Sequence, residues 1–254
     1  MTTNTPSPVG GLPMYDWPEI AGETDRFWDA VRAALSDQGI EGPHVLNREL
    51  GEEGLWLHPD LLVGQTCGYP LATGLAERVR YVATLHYAVE GCEGPNYSSV
   101  VVARANRKQP DFQNARFAYN STSSLSGYRT LRGEIGPLEQ AFSTLIESGG
   151  HRASAQMVAR GEADYAALDA VCWHLLQALE PGTAEHLVPV RWCPMRPALP
   201  FITALTTPDD VVAGLVSALE TAISTINRDV SCPTLRLAGV SVLEETCYSQ
   251  LAGL

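Results

Sequence analysis

The residues with the clearest chemical character form one run, Asn120 to Tyr128, which we call the hydroxyl segment. Six of its nine residues carry a side-chain hydroxyl, and the run includes a glycine. A strand-like stretch, Ala115 to Tyr119, precedes it, and a segment able to start a helix follows. Hydroxyls and free backbone N–H groups at a helix start can hold an oxyanion. A serine-rich surface loop is the alternative that composition alone leaves open.

Two further polar residues come at expected helix starts. His151 follows a glycine pair and can either donate to an anion or cap the helix that it begins. Asp169 falls at an expected strand end, where it can either accept from a ligand hydroxyl or cap the next helix. Ligands of open α/β sheets bind outside the carboxyl ends of strands, which favours a ligand role for the hydroxyl segment. The glycine of that segment is not followed by the lysine of a nucleotide P-loop.

Three tyrosines with polar tips stand at further strand ends. Tyr15 ends the first candidate strand, Tyr69 lies in the loop after Leu61–Gly64, and Tyr97 precedes a run of three valines. One tyrosine in such a place is more often part of the core or of the rim. Three of them in one α/β chain shift the balance toward a ligand wall.

The sequence predicts no catalytic residue, no metal site and no cofactor. It contains neither a G-x-S-x-G elbow nor an H-E-x-x-H pair. A serine with His151 and Asp169 could be interpreted as a nucleophilic triad, but the spacing does not require one. The six cysteines form no C-x-x-C pair. Cys67 and Cys92 lie in glycine-rich loops and are the candidate pair for a disulfide, whose geometry the sequence does not specify.

An alternation of strands and helices surrounds these residues and predicts an α/β fold with mostly parallel sheets flanked by helices. Near the expected site, helices are predicted at Pro137–Glu147, His151–Arg160 and Ala170–Leu179, each with apolar periodicity or glycine punctuation. A long amphipathic helix is predicted at Pro208–Ile226.

Length and composition exclude several classes of protein. The 254 residues suffice for one large domain or two small ones, and 45% hydrophobic with 18% charged residues permits a real core. The net charge of −12 argues against nucleic acid and against an anionic membrane surface as partners. No apolar run approaches the roughly 20 residues of a membrane-spanning helix.

Two breaks, near Tyr97 and near Pro197, divide the chain into three parts. We predict a first lobe at residues 1–97, a second lobe at residues 98–196, and a return segment of the first lobe at residues 197–254. Two lobes joined by two crossings would place a ligand cleft between them, and hinge closure around a ligand is a known use of that design.

Taken in order, these segments resemble the phosphate/phosphite/phosphonate-binding proteins of ABC transporters, a family with the type 2 periplasmic-binding-protein fold. The family holds a phosphorus oxyanion with a serine-threonine-serine run at a helix start, completed by a histidine, an aspartate and tyrosines. Leu125 stands where the family usually has threonine, so one hydroxyl is lost. The resemblance covers roughly Leu12 to Leu205 and rests on Ser124-Leu125-Ser126-Gly127, Gly149-Gly150-His151, Gly161-Glu162-Ala163-Asp164 leading to Asp169, and Tyr97 before the valines.

The resemblance implies a role for each of these residues. Ser124 and Ser126 would offer hydroxyls, and the N–H groups of Leu125 and Ser126 would face the anion. His151 would approach a second oxygen. Asp169 would accept from a protonated oxygen and would therefore favour a monoanion. The predicted ligand contacts are Tyr15, Tyr69, Tyr97, Ser124, Leu125, Ser126, His151 and Asp169.

We therefore predict a solute-binding protein that closes on a phosphonate, phosphite or phosphate-like anion for an ABC-type uptake system. Tyr69 and Tyr97 would line its cleft, and Tyr15 would border the organic substituent. The expected protein is a monomer that performs no chemical step and whose partners are the anion and an ABC permease. A cytoplasmic ligand sensor and a cofactor-biosynthesis enzyme on the same fold are the alternatives.

The start of the sequence bears on the compartment. Met1 to Val9 is polar and contains proline, with neither the basic nor the apolar region of a secretory signal. We expect a cytoplasmic protein from the sequence as printed, and a periplasmic one if a leader precedes it.

Overall fold

The computed structural model describes residues 7–106, 112–244 and 246–254, and these residues divide into two compact units. The first unit comprises the described residues up to Tyr87 together with those of Ala198–Ser249. The second comprises those of Ala88–Pro197 together with Gln250–Leu254. Residues 1–6, most of the segment considered for a leader, lie outside the described ranges. Among the described residues, no helix combines the length and apolar character that crossing a bilayer needs.

The described residues contain thirteen strands and ten α-helical segments, together with two 3-10 helices and two π-helical turns. The strands are β1 (Val9–Gly11), β2 (Leu61–Gln65), β3 (Val79–Tyr87), β4 (Cys92–Glu93), β5 (Asn96–Tyr97), β6 (Ser99–Arg104), β7 (Arg116–Tyr119), β8 (Thr144–Glu147), β9 (Tyr165–Asp169), β10 (Leu187–Trp192), β11 (Arg196–Pro197), β12 (Pro200–Ala204) and β13 (Leu237–Ser241). The helices are α1 (Ala21–Ser36), α2 (Glu52–Trp56), α3 (Gly68–Pro70), α4 (Thr130–Ile135), α5 (Leu138–Ala141), α6 (His151–Arg160), α7 (Ala170–Leu179), α8 (Pro181–Ala184), α9 (Asp209–Asp229) and α10 (Thr246–Ser249). Of the two π-helical turns, Leu71–Leu75 directly follows α3, after β2, and Leu125–Arg129 lies between β7 and α4.

The first unit is built on a five-stranded sheet in the order β1-β2-β12-β3-β13. Only its β1–β2 pairing is parallel, because the chain leaves this unit after β3 and returns as β12, which inserts antiparallel between β2 and β3. The long helices α1 and α9 pack on each other, and both bury one apolar face.

The second unit is built on a five-stranded sheet in the order β10-β6-β9-β7-β8. Strands β9, β7 and β8 are neighbours and run parallel, whereas β6 pairs antiparallel with both β9 and β10. A small sheet in the order β11-β5-β4 belongs to the same unit. The three parallel strands therefore end at one edge, where their carboxyl-end loops meet.

An aromatic cluster fills one face of the second sheet. Phe117 on β7 stacks on Phe142 with ring centroids 4.7 Å apart, and Phe112 meets Tyr165 edge to face at 5.1 Å. Tyr119 and Tyr128 extend this core into the π-helical turn. Such aromatic pairs fix the turn against the sheet.

The predicted α/β class is confirmed, but parallel pairing does not dominate. Among the described residues it is confined to β1–β2 and to β8–β7–β9. The helix predicted over Pro137–Glu147 is also wrong, since only α5 is helical and β8 follows it, paired with β7. Residues 88–97, assigned above to the first lobe, group with the second unit, where β5 pairs with β4 and β11.

Candidate functional site

Three helical segments begin where three neighbouring parallel strands end. The π-helical turn and α4 follow β7, α6 follows β8, and α7 follows β9. Backbone hydrogen bonds join two of these loops, from the Ser148 N–H to the Tyr119 carbonyl at 2.8 Å and from the Gly149 N–H to the Asn120 carbonyl at 3.1 Å. This edge therefore brings several helix starts together, and each presents backbone N–H groups and the positive end of its dipole.

The hydroxyl segment forms the first of these helix starts. Ser124 is its N-cap residue, and its Oγ accepts from the Gly127 N–H at 3.0 Å. The Ser124 hydroxyl proton stays available to a ligand because this cap uses only a lone pair of the oxygen. The side chain of Leu125 is fully buried, and the predicted contact of this residue with a ligand stays a prediction.

His151, the first residue of α6, faces the hydroxyl segment. Its Nε2 lies 3.0 Å from the Ser126 Oγ, which joins two residues that the sequence placed separately at two helix starts. Burial lowers the pKa of His151 to about 4, against a smaller opposing effect of the Ala167 carbonyl. The imidazole is therefore neutral near pH 7, and one of its nitrogens acts as an acceptor.

Asn120 completes this cluster, although the sequence analysis did not single it out. Its Nδ2 lies 3.5 Å from the His151 Nε2. Its Oδ1 is buried without a hydrogen-bond partner among the described residues. A Cβ on Gly127 would come within 2.0 Å of this Oδ1, so position 127 needs glycine for space. The only sequence signal was that Asn120 directly follows the strand.

Asp169 takes the capping role of the two that the sequence left open. Its Oδ1 accepts from the Val171 N–H at 2.7 Å and from the Cys172 N–H at 3.2 Å, and the side chain is almost fully buried. The carboxylate thereby satisfies two of the donors that begin α7. Its predicted contact with a ligand stays a prediction.

The three predicted tyrosines lie in other segments of the chain than Asn120, Ser126 and His151. Tyr97 belongs to β5 of the second unit and is buried. Tyr15 and Tyr69 belong to the first unit, where Tyr15 packs edge to face on Tyr87 at 5.2 Å. Tyr69 lies in α3, directly before the other π-helical turn. Their roles as ligand contacts remain predictions.

The cluster is suited to hold an anion through neutral donors. Its side chains are hydroxyl, imidazole and amide groups, placed at the positive ends of helices. No group of histidine, cysteine or carboxylate side chains within the described ranges could hold a metal ion. None of the six cysteines, all of which lie within those ranges, forms a disulfide, and this includes the candidate pair Cys67 and Cys92.

Comparison with known families gives one match of direct relevance. The model of the family described as ABC transporter, phosphonate, periplasmic substrate-binding protein matches residues 63–239. These residues include the last three residues of β2, the hydroxyl segment and all of α6 and α7. A comparison with curated protein sequences finds no match.

Solved structures share the fold at low sequence identity. XAC2383 from Xanthomonas citri bound to chloride ion aligns with a TM-score of 0.72 and 14% identity over 97% of this chain and 96% of that one. PhnD1 from Prochlorococcus marinus in complex with methylphosphonate aligns at 0.71 and 16% over 97% and 96%. A binding protein component of an ABC phosphonate transporter from Pseudomonas aeruginosa aligns at 0.68 and 14% over 96% and 83%. These similarities confirm the predicted periplasmic-binding-protein fold.

Proposed function

The chain belongs to the family of periplasmic substrate-binding proteins of ABC phosphonate transporters, and from this membership we propose that it holds a small phosphorus oxyanion at the helix starts of its second unit. Membership confirms the predicted solute-binding role without a chemical step, and the enzyme alternative is wrong. The proposed contacts are the hydroxyls of Ser124 and Ser126 and N–H groups of the surrounding helix starts, with the His151 imidazole held beside the Ser126 hydroxyl.

One observation carries this proposal: the Ser126 Oγ lies 3.0 Å from the His151 Nε2. This contact brings the hydroxyl segment next to the start of α6, so the hydrogen-bond donors of both segments lie close together. Since the protein has a net charge of −12, the attraction for an anion has to come from local dipoles. Charge-assisted hydrogen bonds contribute roughly 1.5–3 kcal/mol each, and 1 μM affinity corresponds to about −8.2 kcal/mol. A handful of such bonds is therefore sufficient.

Phosphonates are the ligand class that we favour. The family description names phosphonate, and the related PhnD1 structure contains methylphosphonate. Leu125 stands where the family usually has threonine, so the side-chain hydroxyls that the segment offers to the phosphorus-bound oxygens of the ligand are those of Ser124 and Ser126. A phosphonate or phosphite has three such oxygens, because a carbon or hydrogen substituent replaces the fourth.

Isothermal titration calorimetry with methylphosphonate, phosphite, phosphate and sulfate tests the proposal. We expect binding of methylphosphonate or phosphite, and Ser126→Ala should weaken it by about 1–3 kcal/mol because one donor is lost. Ser123→Ala is the matched control, since Ser123 is an exposed hydroxyl of the same segment that pairs with Ser121 Oγ at 2.8 Å. Equal affinities for wild type and Ser126→Ala would contradict the site, and no binding of any phosphorus oxyanion would contradict the ligand class.

We further propose that the protein is a periplasmic monomer that delivers its ligand to an ABC permease. The periplasmic family supports the compartment, and the substrate-binding role supports the permease as partner. Light scattering after size-exclusion chromatography should give the mass of one chain with and without methylphosphonate. A dimer mass under both conditions would contradict the monomer.

A further inference from the structure

Two side chains converge on one nitrogen of the candidate site. Ser126 Oγ lies 3.0 Å from His151 Nε2, and Asn120 Nδ2 lies 3.5 Å from the same atom. A neutral imidazole nitrogen is either a donor or an acceptor. Whether these neighbours donate or accept therefore determines which of the two ring nitrogens carries the proton.

The packing of Asn120 fixes the orientation of its amide. The Oδ1 faces the Cα of Gly127 so closely that a Cβ there would lie 2.0 Å away. An oxygen is tolerated against a Cα–H group, which acts as a weak donor. An NH2 group in the same place would direct its hydrogens at carbon. The Nδ2 therefore faces His151, and because this nitrogen only donates, the His151 Nε2 has to accept.

The ring proton then lies on the His151 Nδ1. This nitrogen is buried and has no hydrogen-bond partner of ordinary geometry among the described residues, but the backbone of Ala167 acts on the ring in the direction that favours a bound proton. With no ligand bound, the Ser126 hydroxyl can also donate to Nε2. Its lone pairs would then face outward, which is the wrong polarity for an anion.

We propose that Asn120 is a positioning residue for oxyanion binding: its amide donates to the His151 Nε2 and so leaves the Ser126 hydroxyl proton for the ligand. This inference rests on the proposed function. On binding, the Ser126 hydroxyl rotates toward an anionic oxygen, and the Asn120 amide becomes the remaining donor to Nε2. Asn120 thus acts through His151 and Ser126 without touching the ligand.

A double-mutant cycle with methylphosphonate tests the coupling. Asn120→Ala should weaken binding about fivefold to twentyfold, since Ser126 then keeps its proton on His151. In a Ser126→Ala background, the same change should alter affinity less than about twofold. Thermal unfolding of all four proteins ensures that the titrations compare folded samples. Equal losses in both backgrounds would overturn the proposal, because Asn120 would then act independently of Ser126.

A readout without ligand separates this inference from the proposed function. The ¹⁵N chemical shifts of the His151 ring at pH 7 should show the Nδ1–H form in wild type and the Nε2–H form in Asn120→Asp, whose carboxylate accepts. The Nε2–H form in wild type would overturn the role of Asn120 even if methylphosphonate binds. The Nδ1–H form in a protein that binds no phosphorus oxyanion would instead overturn the proposed function, and with it the ligand role of Asn120.

Discussion

The polar chemistry of the second unit is organised around the His151 imidazole. A hydroxyl and an amide approach its Nε2, and burial lowers the pKa of the ring to about 4. An imidazolium would add a positive charge for an anion, yet it would be costly to bury and could not accept from Asn120. The site therefore uses histidine as a neutral acceptor that orients its neighbours.

The low pKa of His151 should make the free energy of unfolding depend on pH. The unfolded ring binds a proton near pH 6.5, whereas the folded ring does so only near pH 4. Between these values the unfolded chain holds more protons, so the His151 contribution to the free energy of unfolding falls as pH falls, by about 3 kcal/mol by pH 4. Urea unfolding at pH 7, 5.5 and 4.5 should show a steeper loss for wild type than for His151→Gln. If the free energies of unfolding of wild type and His151→Gln fell in parallel with pH, the His151 ring would not be the cause of the loss.

The close approach of Gly127 to Asn120 leads to a prediction for Gly127→Ala. Gly127→Ala should lower the free energy of unfolding by about 1–3 kcal/mol, because its Cβ would overlap the Asn120 Oδ1. Urea unfolding measures this loss. In a Gly127→Ala/Asn120→Ala double variant the overlap is gone, and the loss should be smaller than the sum of the two single losses. Additive losses would show that the two side chains do not compete for this space.

At the scale of elements, the helix starts were the most predictable part of the site. Helix α6 has the predicted bounds because Gly161 ends it in the left-handed conformation, with φ of 77°. Strand β8 was missed because the apolar residues after Pro137 fit a helix as well, and only pairing with β7 selects the extended form. Asn120 was missed for a similar reason, since its role depends on His151, 31 residues away.

The Asp169 cap at the start of α7 can be tested against its predicted ligand role. Asp169→Ala should lower the free energy of unfolding by about 1 kcal/mol or more, because the Val171 and Cys172 N–H groups lose their acceptor. Asparagine is an equally good N-cap residue, so Asp169→Asn should retain most of that stability. If Asp169 also accepts a hydrogen bond from a protonated oxygen of the ligand, Asp169→Asn should change the pH dependence of methylphosphonate affinity. Unchanged pH curves would leave Asp169 with the capping role alone.

At the scale of the whole molecule, the chain assembles each unit from segments distant in sequence. The first unit joins its amino-terminal part to Ala198–Ser249, and the second joins Ala88–Pro197 to Gln250–Leu254. Composition indicated enough apolar residues for a real core, but local patterns did not place the last residues. Their assignment depends on α4, where the Arg132 Nη1 donates to the Leu254 carbonyl at 2.9 Å.

Removal of residues 250–254 should therefore loosen the second unit in particular. Leu254 packs against Gly133, where an added Cβ would meet its Cδ2 at 2.8 Å, and Leu251 is buried. Native-state hydrogen exchange should become at least tenfold faster in α4, with a much smaller change in α1 of the first unit, since burying one leucine contributes about 1.5–3 kcal/mol. Arg132→Ala, which removes the hydrogen bond but keeps the tail, should give a smaller increase in α4. Unchanged exchange in α4 after the deletion would show that these residues do not stabilise the second unit, and an equal increase in α1 would show that their effect is not confined to it.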